Sequence, residues 1–168
     1  KVAVDIGAST GGFTDCLLQH GIEKVFAVDV GYGQLDWKLQ SDSRVVSLDR
    51  KNARELNSSD INELVDLVVI DVSFISLKII IPSVISILKP AGDLIALVKP
   101  QFEVGKEKVE NKGIIKDPKK HLGVLIELNS FMKKLGWPIT GIATSPITGQ
   151  KGNREFLIHC LRKENSRI

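Results

Sequence analysis

The chain has 168 residues, 43% hydrophobic and 26% charged, with a net charge of +3. This composition excludes a disordered or collagen-like chain and fits a single globular domain, which on folding removes roughly 70% of its accessible surface from water. Cys16 and Cys160 lie too far apart for a CxxC pair, which argues against a disulfide framework or zinc knuckle and for a reducing compartment.

In chain order, Val2 to Ile6 reads as a buried strand closed by Gly7, followed by a helix from Gly11 to His20 with Gly21 as its stop. Lys24 to Val30 is a second strand. A short helix through Trp37 and Leu39 leads to a third strand, Arg44 to Asp49. Leu67 to Asp71 is the fourth, and Ser76 to Leu88 a helix that Pro82 would kink. Asp93 to Lys99 is a fifth strand. A polar loop over Pro100 to Pro118 precedes a helix from Lys119 to Leu135, and Ile139 to Thr144 and Glu155 to Leu161 close the chain as strands. Strands separated by helical patterns predict βαβ units and a parallel sheet covered on both faces, with the last two strands forming an antiparallel end. The loop is longer than usual connections and reads as functional or mobile.

No membrane span is predicted: the most apolar stretch, Ile79 to Leu88, holds Pro82, Ser83 and Ser86 and falls far short of the ~20 residues required. Asp5 interrupts any signal-peptide core, so the expected location is cytoplasmic. Charge is uneven. Residues 1–98 hold 9 Lys+Arg against 13 Asp+Glu, whereas residues 99–168 hold 14 against 7. The basic half suits either a polyphosphate partner or a solvated lysine-rich surface.

The segment from Asp5 to Phe13, DIGASTGGF, occupies the position of a nucleotide loop between strand one and helix one. Its glycines let a ligand approach the backbone, although a plain tight turn would look the same. Ser9 breaks the dinucleotide fingerprint, which counts against an NAD enzyme. Asp29 ends strand two, 22 residues beyond Gly7, where a carboxylate can take both hydroxyls of a ribose. Asp49, ending strand three, is placed to meet an adenine amino group. Asp71 and Lys99 end strands four and five, and Glu155 opens the last strand. A lysine at the end of an apolar strand is either functional or half of an ion pair that only fixes strand ends. His20, His121 and His159 lack metal-ligand spacing, and no metal site is expected.

GASTGGFTD, AVDVGYGQL, LDRKNAR, VVIDVSFISL, LVKPQFEVG and GNREF, in this order, resemble the TlyA-type (haemolysin-A-like) proteins within the FtsJ-like ribose 2′-O-methyltransferases. The resemblance covers nearly the whole chain. It implies a Rossmann-like α/β fold with a seven-stranded, mostly parallel sheet, order 3-2-1-4-5-7-6 with strand seven antiparallel, and S-adenosylmethionine as cofactor. Gly7, Ala8, Ser9, Gly11, Gly12 and Phe13 would then hold the methionine part. Asp29 would hold the ribose, Asp49 with Arg50 would surround the adenine, and Asp71 would border both the cofactor and the reaction. Of the family's Lys-Asp-Lys-Glu set, three members map here, to Asp71, Lys99 and Glu155.

The first lysine does not map. In relatives it lies in a segment resembling SRGxxKL, after an RNA-binding S4 domain and before strand one. Residues 1–168 are therefore expected to be a methyltransferase domain cut from a longer chain, with weak methylation of RNA on its own. Lys106, Lys108, Lys112, Lys116, Lys119 and Lys120, in or beside the long loop, could contact RNA phosphates. The implied partner is ribosomal RNA or a ribosomal subunit, and oligomeric state is not indicated. Two other readings remain: a haemolysin-like membrane-active protein, and a non-catalytic RNA-binding module, which would need no intact Asp–Lys–Glu set.

Overall fold

The computed structural model describes residues 1–105 and 113–162. Aliphatic and β-branched runs form seven strands: β1 (Val2–Ile6), β2 (Lys24–Val28), β3 (Val45–Leu48), β4 (Val65–Ile70), β5 (Leu88–Val98), β6 (Ile139–Thr144) and β7 (Phe156–Leu161). They hydrogen-bond in the order β3-β2-β1-β4-β5-β7-β6. Pairing is parallel from β3 through β5, and β7 runs antiparallel to both β5 and β6. The sheet thus has the expected order and the expected antiparallel strand. β5 begins at Leu88, five residues before the expected Asp93, and includes Pro90 and Gly92 near a register shift in its pairing with β4. A bulge tolerates such residues inside a strand.

Alternation along the strands divides the core between two faces. Val4, Ile6, Phe26, Val28, Val68, Ile70, Leu94 and Ala96 face the side covered by α4 (Leu77–Val84) and α6 (Pro118–Lys134). Ala3, Val25, Ala27 and Val69 face the side covered by α1 (Gly12–Gln19) and α2 (Trp37–Gln40), through Leu17, Leu18, Leu35 and Leu39. Each fully buried Leu or Ile contributes roughly 2–3 kcal/mol by leaving water, so a buried parallel sheet is stable with few polar anchors.

The helix starts follow local chemistry. Asp117 caps α6 by accepting from Lys119 N at 2.9 Å, with Pro118 in the first turn where no N–H is needed. Pro82 stays inside α4, but the helix ends at Val84 and tightens into a 3-10 turn over Ile85–Ile87. Two short elements follow β3: a 3-10 turn at Ala53–Glu55 and α3 (Ser58–Ile61), which carries a capping box between Asn57 and Asp60. A further short helix, α5 (Pro100–Glu103), follows β5 directly. Glu103 is buried and accepts from Leu77 N at 2.8 Å and Ser76 Oγ at 2.7 Å, so the segment after β5 caps the helix after β4.

Candidate active site

Parallel pairing brings the carboxyl ends of β1, β2, β3, β4 and β5 to one rim of the sheet, and antiparallel β7 adds its amino end to that rim. β1 lies between β2 and β4, so the crossovers leave it in opposite directions and open a crevice above it. A cavity of about 400 Å³ occupies this crevice, bordered by Gly7, Ser9, Asp29, Val30, Asn52 and Asp71 among others. Its volume falls within the range of small-ligand sites.

The glycine turn is built to stay thin. Gly7 has φ +80°, and a Cβ there would overlap the carbonyl oxygen of Asp71. The backbone then turns through Ser9, also left-handed at φ 49°, into α1. Asp29 ties the rims of β1 and β2 together, with one oxygen accepting from Ser9 N at 2.8 Å and the other from Gly31 N at 2.7 Å. Each carboxylate oxygen keeps acceptor capacity toward the cavity.

The nominated residues separate into those that reach the cavity and those that do not. Gly7, Ser9, Asp29 and Asp71 border it. Ala8 and Gly11 are buried on the α1–α2 side, where Gly11 abuts Leu35 and Leu39, and Phe13 packs against that core. Gly12 is the exposed first residue of α1. Asp49 turns toward the loop after β2, accepting from Gly33 N at 2.9 Å and Ser47 Oγ at 2.8 Å. These bonds hold its carboxyl below the usual carboxylate range. Arg50 stacks its guanidinium on Tyr32, 4.4 Å from the ring centre. Where Asp49 and Arg50 were expected, Lys51, Asn52 and Ala53 face the cavity. Strand alternation carries no signal for this, because these residues lie on the irregular turn after β3.

Lys99 and Asp71 do meet. Lys99 Nζ lies 2.6 Å from Asp71 Oδ1 and donates to Ser73 Oγ at 3.0 Å, with only 13% of the lysine side chain exposed. Val98 pairs with Phe156 in the antiparallel ladder, so Lys99 and Glu155 stand opposite each other one step beyond it. Glu155 is buried. Burial raises its carboxyl above the ordinary value, the Lys99 charge and a hydrogen bond with Gln101 lower it, and Asp71 raises it.

Beneath the site, Asp5 is fully buried and accepts from Thr14 Oγ1 at 2.7 Å, while its other oxygen has no hydrogen-bond partner. Burial pushes its carboxyl up to about 6 despite the Thr14 bond, with Asp71 and Asp29 adding repulsion.

Three contributors escaped the sequence reading. Ser73 and Gln101 lie two residues after the strand-end residues Asp71 and Lys99 in VIDVSF and VKPQF, but each supports the residue at the next strand end, Ser73 bonding Lys99 and Gln101 bonding Glu155. Phe74 is 80% exposed with φ 66°, and its ring tilts on Phe102 with 4.9 Å between centroids. Two aromatics, Phe74 and Phe102, therefore stand side by side next to the site. Of the lysines, Lys116 and Lys119 are exposed, and Lys119 and Lys120 border a separate groove with Val104 and Gly123. Lys106, Lys108 and Lys112 lie outside the described residues. His121 is buried in the first turn of α6, while His20 and His159 are paired near the surface. No described helix is long and apolar enough to cross a membrane.

A doubly wound sheet ending in an antiparallel strand, with a nucleoside-sized crevice over β1 and an amine–carboxylate pair at its edge, is the architecture of a Rossmann-like methyltransferase. The FtsJ-like methyltransferase pattern matches residues 1–162, and the chain belongs to that family. It is 51% identical over 160 residues to YqxC of Bacillus subtilis, provisionally described as an rRNA methyltransferase, covering 95% of this chain and 57% of that protein. It is 46% identical over 155 residues to the 16S/23S rRNA (cytidine-2′-O)-methyltransferase TlyA of Mycobacterium tuberculosis, covering 92% and 58%. Among solved structures, a protein provisionally described as a hemolysin from Streptococcus thermophilus superposes with a TM-score of 0.94 at 46% identity, covering 97% of this chain and 59% of that one. The chain thus spans a little over half the length of these relatives.

Proposed function

We propose that this chain is the catalytic domain of a cytoplasmic enzyme that transfers a methyl group from S-adenosylmethionine to the ribose 2′-hydroxyl of ribosomal RNA. The observation that carries this reading is the Lys99–Asp71 pair at the edge of a nucleoside-sized cavity, with Glu155 opposite.

The residues present fit the cofactor. Gly7 leaves the crevice floor bare beside the Asp71 backbone, and Asp29 offers carboxylate oxygens from the β2 rim to a ribose. Val30, Asn52 and Ala53 also line the cavity and would lie beside the base. S-adenosylmethionine, when bound, supplies an electrophilic methyl carbon on a sulfonium.

The protein's own task is placement of the acceptor. Lys99, fixed by Asp71 and Ser73, meets the 2′-hydroxyl and orients an oxygen lone pair for in-line attack. Most of the rate enhancement then comes from positioning and from charges preset in a partly dry site. For Lys99 also to take the hydroxyl proton, a second cation must offset Asp71 and Glu155, and the family's first lysine is the residue suited to that. Exposed Phe74, backed by Phe102, offers a face on which an acceptor base can stack. Lys116, Lys119 and Lys120 supply positive charge for the phosphate backbone.

Intact Asp71, Lys99 and Glu155 favour an enzyme over a purely RNA-binding module. A crystal structure with S-adenosylhomocysteine tests the reading: the ribose should lie on Asp29 and the sulfur should point toward Lys99. Adenosine bound outside the crevice over β1 would refute it.

A further inference from the structure

Glu155 owes its place to a short turn, residues 149–153, that does not border the cofactor cavity. Asn153 is 2% exposed and uses its whole amide. Its Oδ1 accepts from Ile115 N at 2.9 Å, and its Nδ2 donates to Gly113 O at 3.0 Å and to Gln150 O at 3.1 Å. Its backbone closes the same turn, with Asn153 O accepting from Gly149 N at 2.8 Å and Asn153 N donating to Gln150 O at 3.2 Å. One side chain therefore joins the turn before β7 to the Gly113–Ile115 segment, roughly 40 positions earlier, that leads into α6. His121 pins that segment a second time: its Nε2 donates to Ile115 O at 2.9 Å, and its ring packs edge-on against Phe156, the neighbour of Glu155.

Gly149 meets Glu155 from the other side. A Cβ at position 149 would overlap the Oε1 and Cδ of Glu155. Gly149 has φ −75°, which any residue adopts, so a side chain here would displace the Glu155 carboxylate rather than strain the backbone.

We infer that Asn153 is a positioning residue that, with Gly149, sets the Glu155 carboxylate opposite Lys99 and locks it to the segment carrying Lys116. Asparagine suits the role because it combines one acceptor with two donors. Aspartate would face the carbonyls of Gly113 and Gln150 with a negative oxygen, and alanine would take the side-chain partner from Ile115 N and Gly113 O, leaving Gln150 O only its bond from Asn153 N. The inference rests on the catalytic reading of Glu155.

The test is single-turnover transfer of labelled methyl groups to ribosomal RNA by the full-length protein. Asn153→Ala and Gly149→Ala are each expected to slow transfer about 10- to 100-fold while S-adenosylhomocysteine affinity stays within about threefold. In a Glu155→Ala background each should slow it by less than about threefold more, because the group they position is gone. Gly149→Ala should also lower the unfolding midpoint by a few degrees when Glu155 is present and leave it unchanged in Glu155→Ala, a readout independent of activity. Gly149→Ala keeps the test decisive if Asn153→Ala does not fold. Undiminished losses in the Glu155→Ala background, or wild-type transfer by Gly149→Ala, would overturn the inference alone. Parental transfer by Glu155→Ala would overturn the catalytic reading and the inference with it.

Discussion

Lys99 Nζ stands 2.6 Å from Asp71 Oδ1, across the rims of two adjacent parallel strands. Such a pair could merely fasten strand ends. Asp71 borders the cavity that also receives Asp29 and Gly7, and the function proposed above gives the pair a chemical use instead. The two roles predict different things when the amine is removed.

Lys99→Ala in the full-length protein should abolish methyl transfer while S-adenosylhomocysteine affinity, measured by calorimetry, changes by no more than a few-fold. In the proposed function the amine faces the acceptor side, and Asp29 and the glycine turn carry the nucleoside. Loss of cofactor binding together with activity would show that Lys99 is structural.

Asp29→Ala should weaken S-adenosylhomocysteine about 10- to 100-fold, since it removes a charged acceptor that also holds Ser9 N and Gly31 N in place. Asp49→Ala, which releases only the Gly33 turn and Ser47, should weaken it less than about fivefold. Equal losses would return Asp49 to the binding surface that its strand-end position first indicated.

Asp5 makes stability depend on pH. Its carboxyl is raised from 3.8 to about 6, chiefly by burial. The unfolded chain therefore gives up this proton more readily than the folded one. The stabilising contribution of protonated Asp5 is complete below about pH 4 and is lost as pH rises through about 6. The rise from 3.8 to about 6 corresponds to about 3 kcal/mol as an upper figure. Asp5→Asn, neutral at every pH and still able to accept from Thr14, should raise the unfolding midpoint at pH 7.5 and leave it unchanged near pH 4. A lower midpoint at pH 7.5 would contradict this sign.

Phe74→Ala should raise the KM for RNA about tenfold or more without altering cofactor affinity, because it removes the exposed ring while leaving the Lys99–Asp71 pair in place. An unchanged KM would mean that the exposed ring meets no base.

Much of this arrangement was legible in the sequence because buried parallel strands announce themselves as apolar runs. Once the strands are placed, the residue after each one is placed as well: Asp71 and Lys99 follow from LVVID and ALVK in this way. Asp49 shows where this reasoning ends. Its strand was found, but its carboxylate turns to the Gly33 amide in a loop whose path has no period to read. The Pro100–Pro118 stretch likewise looked like one loop, yet α5 forms at its start because Pro100 opens a helix and Glu103 caps α4. Glu155 was identified at the start of β7, while the turn that seats it depends on Asn153 bonding to Gly113 and Ile115, partners that no local pattern reveals.

Nucleoside mass spectrometry of ribosomal RNA, after incubation with the full-length protein and S-adenosylmethionine carrying a deuterated methyl group, bears most directly on the account. The account predicts the label on a ribose 2′-oxygen with the wild-type protein and its absence with Lys99→Ala. Label on a base, or label on ribose that persists in Lys99→Ala, would contradict it.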